Sequence, residues 1–512
     1  MQAVPSAGSE TSLGGAIGAA LGDLNAFLRQ AGLYLVIVIL AAGGGFMFQN
    51  LMAVDQWWAY AGIADYQTTL TVSSGRPVFA LVSALALRAY PLHPFDTVLF
   101  YATMTVFIFV VFRRWTASPW LRLLILSLFI SSPLLVEHMH FTVNQLPLSL
   151  AFVLLSFWFL TIAPAGPEGM KGRWHALPLG ALAGGVAIAT RNELVFLMCG
   201  VALIEAIRAR LQDGRGLFAS LWPMVLSLLL AGAVGVGIIF AALAITGASL
   251  TRAGNIGTDG LVSSPQDSIG LLLRYLDYWK MFLFQSHYLF PGVVKALVWV
   301  MAAAALLQSL FARDVARVAA LVAGGLLLSA LPLALGLVSR NFPFHYAAVW
   351  PLALVPCFVA AVALTVPLGN AAGRWVAGVA GAMVVVISAA ALSSAQVHLA
   401  NLNRRDVSTM TQFLATIRAS GVINWKIALL GSYDSGDTPR WVRSREMCSA
   451  FQCTQALGPL LSLTLLERDP TQRIFTLTDN EKAMFKADLE TLPVGSATLL
   501  RLDRERFVVV LK

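Results

Sequence analysis

Gln49-Asn50-Leu51-Met52-Ala53-Val54-Asp55-Gln56-Trp57-Trp58 directly follows an apolar run, Leu33 to Met47, and leads through Asp65 to Ser73-Ser74-Gly75-Arg76-Pro77. The apolar run stops where a carboxylate, paired tryptophans and an arginine begin. That change is expected where a helix leaves a bilayer, since Trp is enriched at the membrane–water interface. The run therefore reads as a membrane span, and residues 49–94 as a loop at the membrane surface.

The same alternation recurs along the 512 residues, of which 58% are hydrophobic and 12% charged. Soluble domains hold roughly 45–50% apolar and about 25% charged residues. Only helices and closed barrels satisfy their backbone groups in lipid, and long continuous apolar runs select helices. About eleven spans are expected, near 31–48, 95–112, 120–136, 146–162, 177–190, 194–207, 218–246, 291–310, 317–338, 346–366 and 375–394. Residues 77–90 are apolar enough to compete, but as a helix they reach only about 21 Å at about 1.5 Å per residue. They read instead as a helix lying on the membrane surface.

The net charge of +9 is a topology signal, not a nucleic-acid footprint. Basic residues gather in alternate loops: Arg113 and Arg114, Lys171 and Arg173, Arg208, Arg210 and Arg215, Arg313 and Arg317, and Arg374. Positive loops face the cytoplasm. The expectation is a cytoplasmic N-terminal segment 1–30, a membrane domain 31–395, and extracytoplasmic loops at 49–94 and 247–290. Residues 1–30 carry one basic residue, Arg29, and no signal-peptide pattern. Residues 396–512 change composition and read as a small extracytoplasmic α/β domain. Its helices are expected over 404–420 and 480–489, and its strands over 426–430, 473–477 and 507–511. Of the four cysteines, Cys199 and Cys357 sit in apolar runs, and Cys448 and Cys453 in the tail. The tail pair bridges only if the domain faces an oxidising compartment and the geometry permits it.

Several polar residues fall on the expected outer side, where basic residues are otherwise sparse. Arg76, Arg191 and Arg340 form a cationic set, with His345 near the last. Such a set suits a lipid phosphate, because guanidinium binds phosphate in bidentate fashion; pairing with headgroups or with Glu193 is the alternative. Asp55 and Asp65 read as a general base and an orienting or metal-binding carboxylate, or as solvated loop carboxylates. Trp57 and Trp58 read as interfacial anchors or sugar platforms. His138 and His140, beside Glu137, match no strong metal spacing, so a divalent cation stays an open element. No P-loop, zinc signature or nucleophile elbow is present.

With these residues in place, the chain resembles the type-C glycosyltransferase superfamily of polytopic membrane enzymes. The resemblance rests on Asp55 in the first outer loop, on surface helices in that loop, and on the glycine-rich run from Gly180 ending in Thr190-Arg191. Ser74-Gly75-Arg76-Pro77 is similar to a segment of the phage-type glucosyltransferases that modify O-antigen. Those enzymes often carry adjacent carboxylates, whereas here Gln56 follows Asp55. The resemblance implies an all-α polytopic bundle that moves a hexose from polyprenyl phosphate to an envelope glycan at the periplasmic face of a bacterial inner membrane. It implies Asp55 as the base, a lipid-borne donor and a glycan acceptor as partners, and no nucleic acid. A glycan polymerase or ligase, and a transporter or flippase, remain alternatives.

Overall fold

The computed structural model describes residues 13–48, 72, 76–78, 80–81, 95–135, 150–157, 171–192, 194–248, 265–284, 291–332, 350–365, 371–431, 473–493 and 496–512. Its helices are α1 (Leu13–Phe48), α2 (Phe95–Phe112), α3 (Pro119–Ile130), α4 (Lys171–Thr190), α5 (Leu194–Gln212), α6 (Leu217–Thr246), α7 (Pro265–Phe284), α8 (Gly292–Phe311), α9 (Val315–Ala330), α10 (Leu354–Leu364) and α11 (Ala371–Ala419). The tail adds α12 (Asp479–Met484), α13 (Lys486–Thr491), β1 (Lys426–Gly431), β2 (Ala497–Arg501) and β3 (Arg506–Leu511). Among the described residues four helices are long and apolar enough to cross a membrane: Ile17–Gly45 within α1, α6, α8 and α11. Shorter apolar helices pack beside them at Thr97–Phe112, Pro119–Ile130, Leu177–Thr190, Val315–Ala330 and Trp350–Leu364.

Small residues set how closely these helices approach. In lipid there is little hydrophobic drive between helices, so packing and interhelical hydrogen bonds hold them. A Cβ on Gly185 of α4 would stand 2.4 Å from Val234 Cγ1 and 3.0 Å from the Gly235 nitrogen of α6. Gly235 in turn receives Ile188. The glycine run before Arg191 is therefore a packing seam. At α1, the side chain of Tyr101 occupies the space over Gly43, and that of Gln396 from α11 the space over Gly45. The Gln396 amide donates to the Ala42 carbonyl.

The basic loops collect at one end of the bundle. Arg208 grips Glu205 through two hydrogen bonds of 2.8 and 2.9 Å and also reaches Asp213 at 3.1 Å. Arg114 reaches Glu205, and Arg113 reaches Asp23 of α1, both at 3.4 Å. Arg122 donates to the carbonyls of Thr116 and Arg113. This ionic end lies opposite the end where α1 finishes at Phe48 and the first loop begins. A buried charge must be paired or it costs several kcal/mol, so the network fixes which helices meet here.

The tail is built on α11. This 49-residue helix crosses the expected boundary at 396 without a break. Gln396, Leu399, Asn403, Asp406, Met410, Leu414 and Ile417 form one buried stripe along it. Packing changes hands between Ala400, in the membrane core, and Leu402, in the tail core. The helix expected at 404–420 is therefore the upper part of the last span. The sheet order is β1-β3-β2, with β1 parallel and β2 antiparallel to β3. Side chains alternate along β3. Phe507, Val509 and Leu511 share a cluster with Met410, Leu414 and Ile417, whereas Val508 and Val510 pack with Leu477 and Phe485.

Other expectations are corrected. Residues 473–477 make only an isolated bridge, Ile427 to Ile474, and the third strand is β2. A tight turn decides this: the Asp503 carboxylate accepts the backbone N–H of Glu505 and Arg506 and returns β3 beside β2. Its pKa is lowered to about 2 by those bonds and by Arg506. The expected helix 480–489 is two short helices broken at Phe485, the first held by a Thr478–Glu481 capping box. Within the segment expected at 1–30, the described residues from Leu13 onward belong to α1. The 247–290 loop contains α7. Cys199 and Cys357 are free thiols, and Cys448 and Cys453 lie outside the described residues.

The seam between α4 and α6 yields a direct check. Gly185→Ala introduces the clashing methyl, and overpacking costs typically about 1–3 kcal/mol. Gly237→Ala, where nothing lies within 4 Å, introduces none. Thermal unfolding in detergent should show a lowered Tm for Gly185→Ala only. Equal shifts in the two variants would remove the seam as the reason for the glycines.

Candidate functional site

The first-loop end of the bundle carries the groups with chemical potential. Between α8, α9 and α10 runs an apolar cavity of about 370 Å³. On α8 its wall extends from Val294 through Val298, Ala302 and Ala303 to Leu306. That is about 18 Å at about 1.5 Å per residue. Leu321 to Ser329 of α9 and Leu352 to Val359 form the facing walls. Because α8 and α9 are antiparallel neighbours, Lys295 and Ser329 fall at the same end. Ser132, which follows α3, falls there too. The cavity is thus a long apolar slot whose polar residues gather at its first-loop end.

Among the described residues lining the slot, Lys295 is the sole ionisable one. It is 8% exposed and sits in the first turn of α8. Its position is readable in the sequence as a lysine four residues into an apolar run, Gly292-Val293-Val294-Lys295-Ala296-Leu297. An ionisable residue inside a membrane span is a functional candidate by default. Lys295 stands inside an apolar run and not in a loop, so the pattern of basic loops does not mark it.

Arg191 and Arg76 occupy the same end. Arg191 follows directly on α4 and is 2% exposed, so its guanidinium lies within protein rather than among headgroups. Its backbone N–H bonds the Ala187 carbonyl, continuing the helix, and its own carbonyl accepts from Leu194 to start α5. Arg76 precedes a short helical segment, with the Ala80 N–H bonding its carbonyl at 3.1 Å. That segment is docked by Val72 and Ala80 against Ile239, Leu243 and Ala248 at the far end of α6. Since α4 and α6 run parallel along the glycine seam, both arginines belong to the same end of one helix pair.

Asp55, Asp65, Trp57, Trp58, His138, His140, Arg340 and His345 lie outside the described residues. Among the described residues no group of three or more His, Cys, Asp or Glu side chains is placed to hold a metal ion. At one end of the bundle the fold places the enclosed Arg191 guanidinium, Arg76 on a segment docked against α6, and an apolar slot with the Lys295 ammonium at that end. This arrangement suits a ligand with a long apolar chain and an anionic head.

No protein-family model matches the chain, and no curated protein matches it. A solved structure, the crystal structure of ArnT from Cupriavidus metallidurans bound to undecaprenyl phosphate, aligns over 94% of this chain and 98% of its own. The two are 13% identical, with a TM-score of 0.44. Neither fold nor function is inferred from a likeness at that level.

Proposed function

We propose that the protein is an inverting glycosyltransferase that moves a hexose, glucose in the reading preferred, from a polyprenyl phosphate to a glycan of the cell envelope such as O-antigen. The observation that carries the proposal is the apolar slot with Lys295 at its first-loop end, in a chain whose first loop supplies a carboxylate. A prenyl chain is long and wholly apolar, and its phosphate needs cations where the chain leaves the slot. Lys295 is one. Arg76, Arg191, Arg340 and His345 are assigned to the same phosphate, and Trp57, Trp58, His138 and His140 to the sugars.

The reaction follows from these assignments. Asp55 takes the proton of an acceptor hydroxyl as that oxygen attacks the anomeric carbon. The bond from that carbon to the phosphate oxygen breaks, and the lipid phosphate leaves with the electron pair. Neutralising that developing charge is the main electrostatic task. A single displacement inverts the anomeric configuration. Asp65 orients Asp55, or with it provides the oxygen donors that a divalent cation requires. The tail domain, raised on α11 at the same end, is assigned to acceptor choice.

Lys295→Met keeps length and apolar volume while removing the charge. Losing a charge-assisted bond costs on the order of 1.5–3 kcal/mol, which is roughly 10- to 150-fold in affinity. Equilibrium binding of polyprenyl-phosphate hexose to purified protein should weaken by that amount, and a neutral polyprenol should bind both proteins alike. Unchanged binding of the phosphate would remove the lysine from the site.

Asp55→Asn keeps shape but cannot accept a proton. Glycosyl transfer should fall roughly 10²–10⁴-fold with donor binding retained, and Asp65→Asn should cost less. If Asp65→Asn is inactive and Asp55→Asn is normal, the two roles are exchanged. If both turn over normally, the first loop is not the catalytic centre. The length of the glycan product separates single-residue transfer from polymerisation. Donor consumption by purified protein, with and without chelator, excludes a flippase and tests the cation.

Orientation is tested separately. The ionic end carries the basic loops, so the first-loop end and the tail should be extracytoplasmic. Alkaline phosphatase fused after Lys512 should be active, and an inactive fusion at normal expression would reverse the topology.

A further inference from the structure

The helix α7 arises in a stretch whose sequence reads as an extracytoplasmic loop, and its surface does not suit water. Leu271, Tyr275 and Trp279, four residues apart, face the bundle: Leu271 is buried, and the two aromatics pack on the membrane core. Tyr275 Oη donates to the Ala330 carbonyl at 3.0 Å, and Trp279 Nε1 to Ser329 Oγ at 2.9 Å. At the other end of the helix, Trp299 of α8 donates to the Leu283 carbonyl at 3.1 Å, and its ring stacks on Phe284 at 5.6 Å. These bonds hold α7 across the last turn of α9 and the second turn of α8.

The adjoining sector of α7 holds Ile269, Leu272, Leu273 and Leu276, at the spacing of a helix face. All four are exposed, Ile269 at 61% and Leu273 at 58%. This apolar face continues into the exposed Phe284 and into Val293, Trp299 and Val300, which line the outward surface of α8. Lys280 is exposed in the same sector; the exposed Asp277 borders it, one turn after Leu273, and the exposed Gly270 lies further round the helix, away from both apolar faces. Four exposed large aliphatics on one helix, continuous with a lipid-facing surface and bordered by Tyr and Trp side chains, match a helix lying in the headgroup–acyl boundary. A lysine amid them can extend its stem along the apolar face and reach anionic headgroups.

We infer that α7 is an interfacial membrane helix, with the Ile269, Leu272, Leu273 and Leu276 face seated in the bilayer surface. Leu283 and Ser329, the partners of Trp299 and Trp279, also line the slot between α8 and α9. The helix seated in lipid therefore also walls the slot at its polar end. This inference rests on the membrane placement of the bundle and is independent of the transferase reading.

The test uses the full-length chain in nanodiscs of phosphatidylcholine and phosphatidylglycerol, with the four native cysteines replaced. An environment-sensitive fluorophore is attached at Leu273→Cys or at Gly270→Cys, both exposed positions, the second with nothing within 4 Å of an added Cβ. The Leu273→Cys probe should emit to the blue and be quenched several-fold more strongly by lipid carrying an acyl-chain nitroxide than by aqueous iodide. The Gly270→Cys probe should show the reverse. Equal iodide quenching at both positions would place the face in water and overturn the inference. Shielding of the Leu273→Cys probe from both quenchers, relieved by dilution into excess empty discs, would show that a second copy covers the face and would overturn it equally. Neither readout requires donor turnover.

Discussion

Close helix approach in a solvent that offers no hydrophobic drive between helices is the constraint on which the bundle depends. Tails of lipid and side chains of leucine are equally apolar, so contact area and paired polar groups must do the selecting. The chain meets this with glycine where two backbones must come together, as between Gly185 and Gly235, and with ionic pairs where helices end, as in the Glu205–Arg208–Asp213 set. The seam joins α4 to α6 along their length, and the ionic network fixes α1, the turn after α2 and α5 at one end. The opposite end is thereby left free of that network. Among the described residues it holds Arg76, Arg191 and Lys295.

The placement of Lys295 follows from the same constraint. An ammonium in an apolar wall is costly unless an anion or hydrogen-bond acceptors meet it. Its position at the end of the slot, rather than midway along, limits that cost and defines where a charged head would rest. A helix that presses on this end, α7, is anchored by two aromatic donors. Aromatic donors keep an apolar body for lipid while satisfying Ser329 and the Ala330 carbonyl.

The tail domain is joined to the membrane core by a rigid element. From Gln396 to Ala419 the continuous α11 extends about 35 Å at about 1.5 Å per residue. Its buried stripe passes from glutamine at Gly45 to methionine and leucine under the sheet, so one helix serves two cores in succession. Asn403 and Asp406, buried at the handover, mark where apolar packing is interrupted by polar groups. A domain carried on such a helix has its height above the bundle set by the helix itself, whereas a flexible linker would leave that height free.

The sequence by itself determined the mostly helical, apolar character of the chain, the positions of the four described helices long enough to cross a membrane, and the alternation of basic loops. These depend on composition and on runs of like residues along the chain. It also determined β1 and β3, whose apolar residues are contiguous. It could not determine where α11 ends, because Leu402, Asn403 and Asp406 look like the start of a soluble segment and only packing shows that the helix continues. It misjudged β2 for the same reason: Ala497 to Arg501 becomes a strand through pairing with β3 across the Asp503 turn. The glycine run before Arg191 was legible as a feature, but its meaning as a seam required Val234 and Gly235 on another helix. Arg76 and Arg191 were legible as cations beside apolar runs, yet only the parallel course of α4 and α6 assigns them to one end of one pair. Lys295 is visible in the sequence, but the slot it lines is wholly tertiary, since the walls come from several helices that no local pattern connects. A linear chain states which residues avoid water, and the three-dimensional packing decides which of them leave a space between them.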